Sequence, residues 1–326
     1  MTDRKRVFSG MQPTGVAHMG NFIGAISNWV RMQDEYETIY CVVDLHAMSV
    51  PYEPLDMAQG RVRLAKMVIA AGVDPKRSLL YYQSEVPQHS ELYWIVGTLA
   101  AVGQLQRMTQ FKEKADKSFQ SFGLLAYPVL QAADIMIHKA HAVPVGDDQT
   151  QHLELTRDLV ERFNSRYGEI FPVPERITPE IGHRVMSLQD PAAKMSKSDP
   201  NSKATVYLTD STDDIIRKIK SAVTDAGAEV AYDWDEKPGI SNLLEIFSVV
   251  SGRPIEDIVG EYASGGYGRF KDAVAEAVAN GIKPIREAYE GMSDEEVAVV
   301  MSESAERARM SADRTLTEVK EAVGLS

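Results

Sequence analysis

The chain has 326 residues but only one cysteine, Cys41, and this scarcity excludes two kinds of stabilising chemistry. One thiol cannot form an internal disulfide, and it cannot supply a metal site built from several cysteines. Cys41 lies in the apolar run 39–43, where a small buried side chain is the expected role. This cysteine usage fits a reducing compartment, so we expect a cytoplasmic protein.

Long hydrophobic runs are also missing. No stretch approaches the roughly 20 apolar residues that a membrane-spanning helix requires, and no apolar signal region precedes the first predicted strand. Hydrophobic residues still make up 44% of the chain, which is enough to build a sizeable core. We therefore expect a globular protein of one or two domains with no membrane partner.

Basic residues are fewer than acidic ones, 35 Lys and Arg against 47 Asp and Glu, which gives a formal net charge of -12. Residues 207–326 carry 13 Lys and Arg against 24 Asp and Glu, so residues 1–206 are nearly neutral. A protein that coats nucleic acid without specificity needs a broad basic face. This chain can offer only local basic patches, and any contact with RNA has to be shaped and specific.

Strand and helix signals alternate through residues 5–155 and then change character. Strands are predicted at 6–10, 38–43, 78–83 and 142–145, and helices at 21–36, at 55–71 and through residue 164. This alternation predicts an α/β fold with a Rossmann-like parallel sheet. Beyond residue 206 only helices are predicted, at 213–222, 240–251, 254–262, 269–279 and 293–322. We therefore predict an α/β domain over residues 1–206 and an all-α domain over residues 207–326.

The loop after the first strand, TGVAHMGN at 14–21, has the features of an anion site. Gly15 and Gly20 let a ligand approach the backbone, and the following helix directs free N–H groups and a positive dipole end towards it. His18 and Asn21 add donors for phosphate oxygens or a leaving group. The spacing is neither a dinucleotide fingerprint nor a P-loop, and a purely structural glycine loop is the alternative.

A second motif, KMSKS, occupies residues 194–198 in a polar segment. Two lysines flanked by hydroxyl groups suit a triphosphate whose pyrophosphate departs. Positive charge placed on the departing oxygens stabilises the transition state more than the ground state. A solvated basic loop is the alternative, although the full five-residue string is far rarer than a generic pair of lysines.

A third motif lies in the apolar segment 123–138, which is predicted to be a mostly buried helix. Tyr127, Gln131, Asp134 and His138 fall along one stripe of that helix. A carboxylate such as Asp134 is expensive to bury unless a donor meets it. The stripe either faces water, makes hydrogen bonds in the core, or meets a polar group on an apolar ligand. An indole N–H is such a group, since it can only donate.

The fourth motif, VPVGDDQ at 143–149, joins a strand end to a helix. Asp147 and Asp148 would cap that helix whatever the function. The carboxyl ends of parallel strands are also where ligands bind in such sheets. On that reading Gly146 could approach a ribose and Gln149 could reach an amino acid.

These motifs together resemble the bacterial tryptophanyl-tRNA synthetases, a class I aminoacyl-tRNA synthetase family, along nearly the whole chain. The matching strings are FSGMQPTG, HMGN, RMTQFKEK, QAADI, VPVGDDQTQHLELTRDL, MSLQDPAAKMSKSDPN and KPGISNLL. The resemblance implies a Rossmann catalytic domain, a helical anticodon-recognising domain whose last helix packs back on it, and a homodimer. It implies that ATP, with Mg²⁺ bound to the nucleotide, activates L-tryptophan, which is then transferred to the 3' end of its tRNA. No metal site formed by protein side chains is expected.

Carried over by position, the resemblance assigns catalytic roles to His18, Asn21, Lys114, Lys194 and Lys197. It assigns ATP binding to Gln12, Pro13, Thr14, Gly20, Asn21, Gly146, Asp147, Asp148, Val185, Lys194, Met195, Ser196, Lys197 and Ser198. It places Asp134 on the indole nitrogen, in a pocket that also contains Phe8, Gly10, His46, Gln131, Val145 and Gln149. Asn21 in place of a second histidine is usual in this family, and Gln131 stands where some relatives have Met.

Three other functions compete with this interpretation. A tyrosyl-tRNA synthetase shares the fold and signatures, but the GNFIGA, VPVGDDQ and QAADI strings favour tryptophan. A small-molecule nucleotidylyl transferase would not need the helical residues 207–326 or the complete lysine loop. A catalytically silent paralogue is expected to lose His18 or the loop lysines, and this chain has both.

Overall fold

The computed structural model describes residues 4–115, 121–146, 149–178, 185–197 and 199–326. Within these ranges five strands form one sheet in the order β3-β2-β1-β4-β5, and every neighbouring pair is parallel. The strands are β1 (Arg6–Met11), β2 (Glu37–Val42), β3 (Leu79–Tyr82), β4 (Ala142–Pro144) and β5 (Glu175–Ile177). The predicted Rossmann-like parallel sheet is confirmed.

Helices connect and cover the strands. Those in the first part of the chain are α1 (Met19–Asn21), α2 (Ser27–Met32), α3 (Asp44–Ala47), α4 (Pro54–Ala70), α5 (Gln88–Gly97), α6 (Val102–Gln106), α7 (Thr109–Ala115), α8 (Phe122–Ile137) and α9 (Thr150–Tyr167). A π-helical turn, Phe22–Ile26, joins α1 to α2, and a 3₁₀ turn, Gln83–Glu85, follows β3. The later helices are α10 (Thr212–Lys220), α11 (Pro238–Ser251), α12 (Ile255–Tyr262), α13 (Gly266–Gly291) and α14 (Asp294–Val323).

The strand order determines where a ligand can enter. From β1 the chain proceeds outward to β2 and β3 on one side, and later to β4 and β5 on the other. The order therefore reverses between β1 and β4, and the crevice outside the carboxyl ends of these strands is the usual ligand position in an open α/β sheet. The loop after β1 and the segment after β4, which carry two of the sequence motifs, both start at this crevice.

Alternate side chains of the strands enter two apolar cores, one on each face of the sheet. Val7, Tyr40 and Leu80 belong to the core that contains α2 and α4, whereas Phe8 and Cys41 belong to the core that contains α8 and α14. The period of two along each strand produces this division. Cys41 is fully buried, as its apolar neighbours predicted.

The helical part of the chain shares these cores. The first core continues without a break from the sheet into α10, α11 and α13 through residues such as Ile215, Ile240 and Phe270. The long helix α14 packs against β3, α4 and α5. A domain boundary at residue 206 stays a prediction. None of the described helices has the length and apolar character needed to cross a membrane.

The sequence analysis did not predict helices α3, α5, α6 and α7, and three further elements differ from it for identifiable reasons. Strand β5 was missed because it has three residues, and both Glu175 and Arg176 are exposed, so no apolar alternation marks it. The first helical segment begins at Met19, earlier than predicted, because His18 caps it. Helix α13 continues through Pro284 to residue 291, since the buried side chains of Ile282 and Ile285 hold it against the core on both sides of the proline.

We expect Ser304→Ala to weaken the attachment of α14 to the sheet. The Ser304 hydroxyl accepts a hydrogen bond of 2.8 Å from the backbone N–H of Leu80, on the edge strand β3. Without it a buried N–H is left unpaired, which costs about 1–3 kcal/mol. Urea unfolding measures the free energy of unfolding, and Ser302→Ala on the exposed side of α14 is the control. Equal unfolding free energies for the two variants would show that the hydrogen bond contributes nothing.

Candidate active site

The loop after β1 is shaped by Gly15, whose φ of 65° lies in the left-handed region that favours glycine. A Cβ atom at this position would stand 2.3 Å from Cδ of Lys197. The conformation and the close approach both require glycine. Gly15 therefore allows the side chain of Lys197, in the KMSKS motif, to lie directly against the loop.

His18 is the N-cap of the helical segment that starts at Met19. Its Nδ1 accepts a 3.1 Å hydrogen bond from the N–H of Gly20, and the Asn21 side chain accepts one of 3.1 Å from the N–H of His18. This reciprocal capping fixes the ring. Because Nδ1 accepts, a neutral His18 carries its proton on Nε2, and Nε2 is the donor that it can offer to a ligand.

The KMSKS segment forms a short hairpin-like structure with residues 185–188. The N–H of Met195 donates to the carbonyl of Val185 at 2.9 Å, and the N–H of Ser187 donates to the carbonyl of Ala193 at 2.8 Å. The Met195 side chain is buried, while Lys194 and Lys197 are exposed. The apolar residue of the motif anchors it, and the two lysines stay on the surface that faces a ligand.

The two nucleotide motifs are in direct contact. Lys197 Nζ donates to the hydroxyl of Thr14, 2.6 Å away, and to the Thr14 carbonyl. Two backbone hydrogen bonds, from Met19 to Val206 (2.8 Å) and from Leu208 to Ala17 (3.1 Å), join the loop to the segment after KMSKS. Residues far apart in the sequence thus form one site.

The charges around His18 keep its ring neutral. Burial, and then the positive charges of Lys197 and Lys194, lower the pKa of His18 from its usual 6.5 to about 4. Although the Lys197 side chain is partly exposed, the atoms packed around its ammonium group remove water from it and lower its pKa. A neutral donor beside two lysines is suited to a strongly anionic ligand such as a triphosphate.

A cavity of about 200 Å³ lies beside these loops. Four residues predicted to bind ATP line it: Gln12, Thr14, Asn21 and Lys197. Arg63 on α4 lines it as well, and sequence reasoning missed this residue because it belongs to an amphipathic helix without a motif. A larger cavity of about 870 Å³, between α4, α13 and α14, contains none of the predicted site residues.

Asp134 lies on α8 with 1% of its surface exposed and accepts hydrogen bonds at both carboxylate oxygens. Oδ1 accepts from Gln83 Nε2 and His89 Nδ1, and Oδ2 accepts from His46 Nε2, each at 2.7 Å. Burial would raise the pKa of Asp134, but the hydrogen bonds from His46 and His89 outweigh it and lower the pKa to about 2. The structure thus joins Asp134 to His46 as predicted and adds two residues, Gln83 and His89, that no motif indicated.

One acceptor position on Asp134 is left after these contacts. An ionised carboxylate offers about four lone-pair sites, and the three protein donors occupy two on Oδ1 and one on Oδ2. A donor on a ligand can use the second lone pair of Oδ2. Asp134 therefore makes core hydrogen bonds, one of the alternatives for the polar stripe, and its contact with a polar group on a ligand stays a prediction.

The other predicted residues of the amino-acid pocket lie on β1, on α8 and in the segment after β4. Phe8 is buried and stacks on His138 with 6.4 Å between ring centroids. Gly10 is exposed at the end of β1, and a Cβ there would lie 2.7 Å from Cγ1 of Val43. The remaining predicted residues have these positions: Gln131 is half-buried one turn before Asp134, Val145 is buried, and Gln149 precedes α9.

Six predicted ATP-site positions remain to be placed. Pro13 is buried against α4, and Val185, Met195 and Ser196 form the backbone around KMSKS. Gly20 is half-buried, and Gly146 is exposed beyond β4. Asp147, Asp148, Ser198 and the side chain of Lys114 lie outside the described residues.

Comparisons with known proteins agree on one family. Residues 1–282 match the family described as tRNA synthetases class I (W and Y). A tryptophan--tRNA ligase from Caldanaerobacter subterraneus is 48% identical over 98% of both chains. The crystal structure of tryptophanyl-tRNA synthetase from Mycoplasma pneumoniae has a TM-score of 0.90 at 31% identity, covering 99% of this chain and 98% of that one. The Campylobacter jejuni enzyme complexed with ADP and tryptophan has a TM-score of 0.83 at 33% identity, covering 98% and 100%.

We expect NMR titration of the histidine rings to give His18 a pKa near 4. Replacing a neighbouring charge in Lys197→Met should raise that pKa, whereas Lys203→Met, at an exposed position of the same segment, should leave it unchanged. His18→Gln identifies the resonance among the seven histidines.

Folding lowers the pKa of His18, so the neutral ring contributes to the free energy of unfolding. That contribution is complete above pH 6.5 and is lost as the pH falls towards 4. Titration near pH 6.5 in the unmodified protein would contradict this account.

Proposed function

Because the chain belongs to the class I tryptophanyl- and tyrosyl-tRNA synthetase family, we propose that it is a tryptophan–tRNA ligase. The enzyme activates L-tryptophan with ATP, forming tryptophanyl-adenylate and pyrophosphate, and transfers tryptophan to the 3' end of its tRNA. One observation carries the proposal. An ionised carboxylate, Asp134, is buried among donors that follow β2 and β3, at the carboxyl end of the same sheet whose β1 loop contacts the KMSKS motif.

In the first step the tryptophan carboxylate attacks the α-phosphate of ATP. No covalent enzyme intermediate is formed, so the protein contributes positioning and electrostatic stabilisation. The Nε2–H of neutral His18 donates to a phosphate oxygen. The N–H groups of Met19 and Gly20 are already bonded to Val206 and His18, so the helical segment that begins at Met19 adds the positive end of its dipole rather than free donors. Asn21, which holds the backbone of His18, keeps this donor in place.

The lysines of KMSKS act on the departing pyrophosphate. Lys197 rests on Thr14, which is itself a predicted ATP contact, so a phosphate oxygen can replace the threonine as its partner. Lys194 adds a second positive charge from the other side of the buried Met195. Charge that meets the leaving group as it forms lowers the barrier rather than the ground state. The remaining ATP contacts are Gln12, Pro13, Gly20, Gly146, Asp147, Asp148, Val185, Ser196 and Ser198, with Lys114 on a phosphate.

Asp134 selects the amino acid. The indole N–H can only donate, and the free lone pair of Oδ2 can accept it. Phe8, Gly10, His46, Gln131, Val145 and Gln149 complete the pocket. An amino acid without a ring N–H leaves the buried acceptor unpaired, and sites that depend on such a hydrogen bond reject analogues strongly.

Mg²⁺ enters as a complex with the nucleotide. Among the described residues no three His, Cys, Asp or Glu side chains are placed to hold a metal ion together. Triphosphate oxygens are ligands that Mg²⁺ prefers, with water completing its shell. The ion neutralises charge on the leaving pyrophosphate.

The RNA partner is the tryptophan tRNA, and residues 207–326 recognise its anticodon. Because that region has an excess of acidic side chains, the contacts are local. A protein that charges tRNA works where translation occurs, which places it in the cytoplasm.

The enzyme is a homodimer whose interface lies beside the amino-acid pocket. Trp94 on α5 and Phe122 on α8 are each 72% exposed, and Met48 is 53% exposed. Leu45, Met48, Tyr93, Phe122 and Tyr127 line one shallow cavity of about 180 Å³. Tyr127 also has edge contact with the ring of His46, which donates to Asp134. An exposed apolar patch of this kind is typical of an interaction surface.

ATP–pyrophosphate exchange with each of the twenty amino acids tests the proposed activity. We expect exchange with tryptophan, dependent on ATP and Mg²⁺, and far less with tyrosine or phenylalanine. Discrimination of about 10⁴-fold or more is typical when a buried polar group loses its partner. Equal exchange with tyrosine would instead identify a tyrosyl-tRNA synthetase, and no exchange with any amino acid would identify a silent relative.

Sedimentation tests the dimer separately. The unmodified protein should sediment as twice the 36.1 kDa chain. Trp94→Glu with Phe122→Glu should shift it to monomers, because two charges cannot be desolvated in an apolar interface. Val299→Glu, a change at an exposed apolar position of α14, is the control. A monomeric unmodified protein, or a double variant that stays dimeric, would contradict the proposed interface.

A further inference from the structure

Asp134 is the end of a longer hydrogen-bonded chain that no sequence motif accounts for. His89 Nδ1 lies 2.7 Å from Asp134 Oδ1, and the Tyr81 hydroxyl lies 2.9 Å from His89 Nε2. The same hydroxyl lies 2.8 Å from Nε2 of His138. The side chains of Tyr81, His89 and His138 are fully buried, and that of Asp134 is 1% exposed. Four polar groups therefore form one line inside the core, called the relay below.

The protons in the relay can be placed from donor and acceptor chemistry. Ionised Asp134 only accepts, so His89 carries a proton on Nδ1. A neutral His89 then accepts at Nε2 from the Tyr81 hydroxyl, and the Tyr81 oxygen accepts from Nε2–H of His138. Nδ1 of His138 is left as a bare lone pair, and in the part of the chain that the structure describes it has no hydrogen-bond partner.

The reverse orientation of the hydrogen bonds in the relay is less favourable. It would require a cationic His89 and would leave a buried N–H on His138 without an acceptor, and such orphaned donors are rare. The pKa of His138 agrees with a neutral ring, since burial lowers it well below the usual value. The relay therefore runs from His138 through Tyr81 and His89 to Asp134.

We propose that His89, held in one tautomer by Tyr81 and His138, is a positioning residue that fixes the direction of the free Asp134 lone pair and so sets the selectivity for a ring N–H. This inference rests on the proposed activation of tryptophan. Oδ1 of Asp134 is occupied by His89 and Gln83, and Oδ2 is held on one side by His46.

Fixing the carboxylate has a consequence for selectivity. A carboxylate held on both oxygens cannot turn to find another donor. Its free lone pair can then accept a hydrogen bond from a ligand N–H without any movement of the carboxylate. A ligand that lacks the N–H leaves this lone pair unpaired. If the carboxylate could rotate, water or a protein group could satisfy it, and the penalty for the wrong ligand would shrink.

A purely structural relay makes a different prediction. Loss of core hydrogen bonds would lower the folded fraction, and activity with every amino acid would fall by one common factor. Loss of positioning lowers activity with tryptophan more than activity with an analogue that has no ring N–H. The ratio of kcat/KM for the two substrates separates the two roles, because the folded fraction cancels.

The test compares tryptophan with 3-benzothienylalanine, in which sulfur replaces the ring N–H, by ATP–pyrophosphate exchange. In His89→Leu the selectivity ratio should fall at least about tenfold, as expected for a lost hydrogen bond to a charged group. Tyr81→Phe, which keeps the ring volume, should lower it about three- to tenfold. The KM for ATP should stay within about twofold, since none of the described residues that line the nucleotide cavity is a hydrogen-bond partner of the relay.

Two further variants serve as controls. His89→Asn should recover part of the ratio lost in His89→Leu, because its amide nitrogen can occupy the position of Nδ1 and donate to Asp134. Tyr167→Phe, at the end of α9, removes a tyrosine hydroxyl outside the relay and should not change the ratio. Circular dichroism establishes that each variant is folded, and Tyr81→Phe decides the matter if His89→Leu does not fold.

The outcomes separate the two proposals. Unchanged ratios in folded His89→Leu and Tyr81→Phe would overturn the positioning role while leaving tryptophan activation intact. An equal fall with both substrates would assign the relay a structural role and overturn the inference in the same way. An unmodified enzyme that does not prefer tryptophan would overturn the proposed function itself.

Discussion

Burying one negative charge at the centre of the molecule dictates much of the architecture around it. A carboxylate inside a protein is tolerated only when donors surround it, and Asp134 collects them from three separate places. His46 comes from α3 after β2, Gln83 from the turn after β3, and His89 from α5. The helices and turns at this end of the sheet are thereby held in one arrangement. The packing of these elements and the proposed selectivity for a ring N–H depend on the same interaction.

A second set of contacts connects the nucleotide site to the helical part of the chain. The side chain of Asn242 on α11 pairs with both backbone groups of Met186, at 2.9 and 3.0 Å, and so holds the segment on which KMSKS rests. Asp210 accepts from the N–H of Tyr207 and from the buried Lys218 of α10. The apolar core is also continuous across this junction. A shift of α11 would therefore move the KMSKS loop, because Asn242 on that helix is hydrogen-bonded to the backbone of Met186, which lies beside the loop.

The sequence predicted those features that depend on local pattern. Alternating strands and helices give the parallel sheet, and the glycines and capping residues of TGVAHMGN indicate where phosphate can approach. It could not predict features that depend on the meeting of distant residues. Three such residues are Arg63, Gln83 and His89. They lie on helices or turns whose sequence patterns predict only that a side chain is buried or that a face is polar. Strand β5 was missed for the same reason, since its place beside β4 gives Glu175–Ile177 a strand conformation that its exposed side chains do not suggest.

Charge is distributed so that attraction is concentrated at the crevice. In the acidic helical half, Arg217 pairs with Asp214, Lys220 with Asp272 and Arg253 with Glu261, so these cations are already neutralised by neighbours. At the crevice burial lowers the pKa of His18, and the positive charges of Lys197 and Lys194 lower it further. In the part of the chain that the structure describes, neither Lys194 nor Lys197 has an acidic side chain within salt-bridge distance, so no neighbour offsets their positive charge beside the proposed triphosphate site. An RNA that approaches the acidic half gains little from long-range attraction, so its affinity has to come from contacts at short range, where shape and hydrogen bonding distinguish one tRNA from another.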